Sequence, residues 1–208
     1  MSAEAFTTAD LRGAVRRLAT ASAACRDELN ALDGQLGDGD LGITVSAGWS
    51  EVHREGDTLT EDVGLAFLAM AKAFQRVSSS SFGTLTATGL MAAAKATKGR
   101  KSVAWSEVAD LIGAGRDAMM ARGKGALGDK SVLDMLDALA RATSDRSDAE
   151  EISASVTVAA DATLGAFRDQ PNRLGRARMY AERSVGLDDP GMLAVRRLLD
   201  GLLSEADG

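Results

Sequence analysis

Apolar residues recur at helical spacing through most of the chain. Leu11, Val15, Leu18, Ala21, Cys25, Leu29 and Leu32 are separated by 4, 3, 3, 4, 4 and 3 residues. That spacing predicts one continuous helix with a single apolar stripe, capped near its start by Thr7, Thr8 or Asp10. Val63, Phe67, Met70 and Phe74 predict a second amphipathic helix over 62–77. The same reasoning places helices near 43–54, 84–98, 105–122, 131–143, 148–169 and 189–204, with a short one near 176–182. "SDRSDAEE" (144–151) reads as a polar connection with Ser147 or Asp148 as the next cap. No segment sustains the period-2 alternation of a strand. The expectation is an all-α, single-domain bundle of about eight antiparallel helices spanning 1–208.

The connections change that picture from a generic bundle to one with a site. "LGDGDLG", "VSSSSFGT", "RGKGALGDKS" and "VGLDDPG" are all rich in Gly, Ser and Asp. In an up-down bundle alternate loops fall at one end, so several of these converge. The stretch "LDGQLGDGDLGITVSAG" (32–48) holds Asp33, Asp38 and Asp40 with no cation among them. Carboxylate oxygens are hard ligands suited to Mg²⁺ or Ca²⁺, and three of them close together repel unless a cation compensates. An EF-hand does not fit. Position 12 of such a loop is Trp49 counted from Asp38, or Thr44 counted from Asp33, and neither supplies the bidentate carboxylate. Mg²⁺ fits better, because it takes one or two carboxylates and completes its shell with water and phosphate oxygens.

"VSSSSFGT" (77–84) precedes a Thr- and Ala-rich helix, and backbone N–H groups with hydroxyls at a helix start favour an anion. Capping accounts for one serine, and beside an acidic loop the run suggests Mg²⁺–nucleotide phosphate. "GDKS" (128–131) opens another helix, with Asp129 or Ser131 as its cap. Arg176 and Arg183 are candidate phosphate partners because guanidinium matches phosphate geometry; pairing with Glu182 or Asp188 is the alternative. Asp189 before Pro190 reads as a turn or cap. There is no G-x-x-x-x-G-K-[ST] and no protein-kinase signature. The lone His53 lies in a charged stretch and reads as a surface residue.

Composition narrows the setting. The 208 residues are 45% hydrophobic and 26% charged with a net charge of -6, which argues against a nucleic-acid-binding face. One cysteine, Cys25, excludes an intrachain disulfide and a cysteine zinc cluster. The first residues carry no signal-peptide pattern and no apolar run is long enough to span a bilayer. A cytoplasmic protein without membrane or nucleic-acid partners is expected.

"LDGQLGDGDLG", "GDKSVLD" and "GRARMYAERSVGLDDPG", in that order, resemble the L subunit of dihydroxyacetone kinase. The resemblance runs from the first helix to "DPG". It implies a barrel-like bundle with a nucleotide site among the loops at one end. It implies that Asp33, Asp38 and Asp40 hold two Mg²⁺ ions bridging ADP or ATP phosphates. It further implies nucleotide contacts at Leu41, Gly42, Ile43 and Thr44, at Ser80, Ser81, Phe82 and Gly83, and at Gly123, Val132, Arg176, Asp189, Pro190 and Gly191. No residue is implied as a catalytic acid or base. Leu41 stands where many members have histidine, and Phe82 stands near the serine of a G-A-S-G-type loop; both suggest a divergent branch, acting on a short ketose such as erythrulose. The family's ketose is held by a separate K-type subunit, so such a chain would act as a kinase subunit incomplete without its partner. Alternatives are a subunit with permanently bound ADP recharged by a phosphocarrier protein of the sugar phosphotransferase system, and a non-catalytic nucleotide-dependent regulator of a transcription factor. A homodimer is left open.

Overall fold

The computed structural model describes residues 4–78 and 80–204. Among them are nine α-helices: α1 (Thr8–Ala24), α2 (Arg26–Leu36), α3 (Leu41–Arg54), α4 (Val63–Val77), α5 (Ser81–Thr97), α6 (Val108–Gly123), α7 (Val132–Thr143), α8 (Ala149–Arg168) and α9 (Pro190–Leu203). α1 and α2 form one stave, so the helices make eight. Each stave packs on the next in sequence, and α9 returns to pack on α1, closing a barrel.

The first stave corrects the expectation of one unbroken helix. It bends at Cys25 (φ -91°, ψ 2°), although Cys25 N–H donates to Ala21 O and Leu29 N–H to Cys25 O, both at 3.0 Å. The hydrogen-bond ladder therefore passes through the bend. The apolar stripe survives, since Val15, Cys25 and Leu29 enter one core. The helix also runs past Leu32 to Leu36, which puts Asp33 on its last turns and not in the loop.

That core joins all the staves except α5 and α6, which add only partly buried side chains to it. Leu29, Val45, Met70, Phe74, Met135, Leu139, Ala160 and Met192 are buried together. Trp49 meets Phe74 edge-on, with centroids 5.6 Å apart at 84°, a favoured aromatic geometry. Its lining of Ala, Val, Leu and Met follows from a composition poor in aromatics.

Side-chain caps set the helix starts. Asp62 accepts from Leu65 N–H, Ser80 from Gly83 N–H, Ser131 from Leu133 N–H, Asp148 from Glu150 and Glu151 N–H, and Asp189 from Met192 N–H. Each satisfies N–H groups that have no partner inside the helix.

A second difference is a small ribbon. β1 (Ala5–Thr7) pairs antiparallel with β2 (Ser102–Ala104), with Phe6 opposite Val103. Phe6, Val63 and Val103 form their own cluster, with Trp105 against Phe6. Three-residue strands are too short for alternation to register in the sequence. The ribbon sits with the 55–62 and 98–107 connections at one end of the barrel. The connections 37–40, 78–80, 124–131 and 169–189 lie at the other, where α3, α5, α7 and α9 begin. No helix among the described residues is long and apolar enough to cross a membrane.

Candidate metal centre

Asp33, Asp38 and Asp40 come together at that second end. Each offers a carboxylate oxygen, and the three oxygens lie within 4.8 Å of one another. Asp33 stands near the C-terminal end of α2, where the helix dipole disfavours a negative charge. Its position is fixed by Oδ2, which accepts the N–H groups of Gly39 at 2.9 Å, Asp40 at 3.0 Å and Leu41 at 3.3 Å. The loop is thus wound around one oxygen. Gly39 makes this possible at φ +76°, a left-handed conformation that costs a side-chain-bearing residue energy. Asp40 occupies the N-cap position of α3 yet makes no capping hydrogen bond. Asp38 is contacted by the Arg176 guanidinium. Both partners are substantially exposed, so the ion pair itself adds little stability.

The start of α3 is pressed against α2. A Cβ on Gly42 would stand 1.9 Å from the Arg26 carbonyl oxygen, so this position tolerates glycine alone. The Ile43 N–H donates to Asn30 Oδ1 at 3.2 Å, and the Ile43 side chain is exposed at the mouth. Leu41 turns its side chain into the core and reaches the site only through its N–H. Thr44 is buried behind it.

A second group of the expected residues meets beside the first. Gly191 lies near Phe82, Val132 and the Asp189 carboxylate, within 3.1–3.6 Å of the place a Cβ would occupy. Phe82, Leu85 and Val132 share one apolar cluster, and Gly123, the last residue of α6, abuts Leu85. Ser80 caps α5 and stands 3.3 Å from Ser78 Oγ. Ser81 opens the helix and is exposed, Gly83 packs against Ser78, and Ser79 lies outside the described residues. Pro190 is the first residue of α9 and is buried. Arg176 joins the groups, because its segment, 169–191, carries both the Asp38 contact and Gly191. Arg183 stays away from the carboxylates, with its guanidinium 5.2 Å from the Tyr180 ring centroid. Asp188 pairs with Arg168, not with Arg176 or Arg183. His53 is exposed at the far end of α3.

Sequence reasoning missed a buried polar network beneath this surface. Lys130 is fully buried, and its Nζ donates to the carbonyls of Arg168, Gln170 and Ser184 at 2.7–2.9 Å. Asn172 Nδ2 donates to Lys130 O and to Asp189 Oδ2, both at 2.7 Å. Asp134 closes the turn before α7, accepting from Gly128 N–H and Ser131 N–H. Burial pushes the Asp189 carboxyl up to about 6, against the pull of the Met192 N–H, Asn172 and Lys130. Burial likewise pushes the Lys130 ammonium down, against Asp189, Asp188 and Asp169. One signal was present: Lys130 sits just before a helix N-terminus, where a cation is disfavoured unless something else holds it.

Two surface grooves flank this end. One of about 400 Å³ lies between α2 and Gly186–Asp188, and one of about 570 Å³ between α7 and α8. Neither is lined by the three aspartates.

Comparison with known proteins places the chain in a family. A family model described as the DAK2 domain matches residues 35–204. The chain is 27% identical over 180 residues to the PEP-dependent dihydroxyacetone kinase, ADP-binding subunit DhaL, of Escherichia coli, covering 84% of this chain and 85% of that one. It is 29% identical over 201 residues to the L-erythrulose 1-kinase of Mycolicibacterium smegmatis, covering 92% of this chain but 35% of that protein. The dihydroxyacetone kinase of C. freundii, solved in complex with AMP-PNP and Mg²⁺, superposes with a TM-score of 0.72 at 22% identity over 93% of this chain and 33% of its own, and so shares the all-α fold. With a family model covering most of its length, the chain belongs to the DAK2 domain family.

Proposed function

We propose that this chain is the nucleotide-binding subunit of a dihydroxyacetone-type ketose kinase. In this reading it holds ADP or ATP through two Mg²⁺ ions, and the phosphoryl group passes to a short ketose carried by a separate K-type subunit. The observation that carries the proposal is the convergence of the Asp33, Asp38 and Asp40 oxygens within 4.8 Å. An all-oxygen, anionic donor set fits Mg²⁺, and its charge calls for more than one neighbouring cation. Bound Mg²⁺ supplies neutralisation of phosphate charge.

The chain's own residues then have distinct parts. Asp33 holds the loop in place with one oxygen, and Asp38 and Asp40 face outward as ligands. Ser80, Ser81, Phe82 and Gly83, at the start of α5, offer N–H groups and a hydroxyl to phosphate. Gly191 and Pro190, with Val132 and Gly123 nearby, flank the nucleotide, and Asp189 holds the turn between them. Arg176 exchanges Asp38 for a phosphate oxygen when nucleotide arrives, because guanidinium bonds both anions in the same geometry. Leu41, Gly42, Ile43 and Thr44 shape the α3 start beneath the metal.

The relatives' names bear on the donor and on the acceptor. A PEP-dependent subunit and a PTS-dependent one are among them, as is a kinase of L-erythrulose. A phosphocarrier protein recharging bound ADP is therefore the second reading of the donor. Calorimetric titration with Mg²⁺–ADP tests the site. Asp38→Asn is expected to abolish measurable binding while thermal unfolding stays near wild type. Unchanged affinity would remove the metal assignment. Turnover assays with a K-type partner, supplying ATP in one arm and a phosphocarrier in the other, separate the donors; ketose phosphorylation by the chain alone contradicts the two-part reading.

A further inference from the structure

Segment 169–189 carries Arg176 but has little structure of its own. Between α8 and α9 it forms only short 3-10 turns, Ala177–Tyr180 and Glu182–Ser184. Its feet meet in one bond, Gly186 N–H to Arg168 O at 2.9 Å, and the fixing points outside it concentrate on two residues before α7. Lys130 gathers the carbonyls of Arg168, Gln170 and Ser184 on one ammonium. Those three oxygens mark the entry and the exit of the segment. The preceding carbonyl, Asp129 O, accepts Arg173 N–H at 2.9 Å. Asn172 adds a cross-tie, donating to Lys130 O and accepting nothing in exchange there, while its own N–H donates to Ser184 Oγ at 2.8 Å. Residues 174–183 are therefore a loop pinned at both feet, with Arg176 on it and Asp38 under Arg176.

An ammonium suits this task. It has three donors and here makes three bonds, so the charge is fully solvated by carbonyls. A neutral side chain would remove all three bonds; Arg168 O and Ser184 O would keep the Gly186 and Leu187 N–H groups, and the Gln170 carbonyl would lose its partner. Lys130 itself adopts φ +56°, a left-handed conformation unusual for lysine. That cost and the burial of its charge are both unfavourable to folding, and both are understandable if the residue has a positioning task.

We propose that Lys130 is a positioning residue: by clamping both feet of segment 169–189, it sets where the Arg176 guanidinium stands over the acidic cluster. This rests on the nucleotide-binding reading above. Lys130 touches neither metal nor nucleotide and acts through Arg176. Asn172 and Ser184 serve the same clamp.

A double-mutant cycle read by Mg²⁺–ADP titration tests it, with thermal unfolding measured on each protein. Lys130→Met and Arg176→Ala are each expected to weaken binding about tenfold, the loss of roughly one charge-assisted contact. In the Arg176→Ala background, Lys130→Met is expected to cost less than about twofold more. Multiplying losses would overturn the proposal, since a general loosening of the fold acts equally in both backgrounds. Wild-type affinity in Lys130→Met or in Arg176→Ala overturns it as well. If Lys130→Met does not fold, Ser184→Ala takes its place. It removes the hydroxyl's two ties, from Asn172 N–H and to Ala181 O, and its smaller loss must likewise vanish in the Arg176→Ala background. Wild-type protein that fails to bind Mg²⁺–ADP refutes the functional reading, and this role with it.

Discussion

Asp33 and Asp40 allow loop construction to be separated from ion binding. Asp33 Oδ2 accepts three backbone N–H groups, whereas Asp40 makes no capping bond. In metal-free protein, Asp33→Ala removes an ionised acceptor from all three donors. Hydrogen bonds to charged groups contribute about 1.5–3 kcal/mol when they cannot be replaced. Water reaches this loop and takes over part of the bonding, so the expected loss is about 2–3 kcal/mol in all. For a domain of this size that corresponds to a fall in Tm of about 4–12 °C. Asp40→Asn does the opposite. Two carboxylates with oxygens no more than 4.8 Å apart repel by about 1 kcal/mol in a water-like dielectric. Neutralising one leaves the metal-free Tm unchanged or raises it by about 4 °C at most. Saturating Mg²⁺–ADP inverts the order. Ligand at about 100 times Kd stabilises the wild type by about 2.7 kcal/mol, while Asp40→Asn gains little. Differential scanning calorimetry of the three proteins, with and without Mg²⁺–ADP, reads both signs. The reasoning fails if Asp40→Asn melts as low as Asp33→Ala without metal, or if it gains the full wild-type shift with ligand.

Two further outcomes follow from the packing and the buried charges. Gly42→Ala drives a Cβ into the Arg26 backbone, while Gly48→Ala drives one into the Phe74 ring in the core; both lose about 1–3 kcal/mol in urea unfolding, but only Gly42→Ala shifts the α3 start and weakens Mg²⁺–ADP binding. The Asp189 carboxyl is raised from 3.8 to about 6, so the native state keeps a proton that the unfolded chain releases. Stability from this group is present below about pH 4 and is lost as pH rises through about 6, on the order of 3 kcal/mol. Asp189→Asn is expected to flatten that part of the pH–stability curve, and an unchanged curve counts against the buried carboxyl as its source.

The helices were legible because burial alone decides them. A 3.6-residue apolar period needs no tertiary information, and caps such as Asp148 and Ser131 are local. The acidic cluster was legible for a related reason: three carboxylates within eight residues are close in sequence and so stay close in space. The bend at Cys25 was hidden, since it leaves the stripe continuous. The β1–β2 ribbon joins segments about a hundred residues apart through strands too short to show alternation. The Lys130 clamp was hidden in the same way. Its partners lie 38, 40 and 54 residues away and are backbone carbonyls, which carry no sequence identity at all. Leu41 shows the complementary case. Its side chain is not the histidine that the resemblance implies, yet what it gives the acidic cluster is a backbone N–H donating to Asp33, and any residue but proline supplies that.

The two ends of the barrel handle charge differently, and the difference supports the proposed site. At the ribbon end, ionic side chains are matched: Arg100 pairs with Glu107, Lys101 with Glu61, and Asp62 is spent on Leu65 and Gly99 N–H groups. Such an end is closed electrostatically. At the other end α3, α5, α7 and α9 all begin, and each brings a partial positive charge of roughly half a unit. The caps of α5 and α7 are uncharged serines, Ser80 and Ser131, and that of α9 is the buried Asp189. The starts of α5 and α7 therefore remain receptive to an anion. Beside them three carboxylates share one exposed Arg176 contact, on Asp38 alone. One barrel end thus holds an anion-receptive zone and a cation-receptive zone in contact. A free cation would satisfy the second and a free anion the first, whereas the metal-bridged polyphosphate proposed above would satisfy both at once, and segment 169–191 touches each zone.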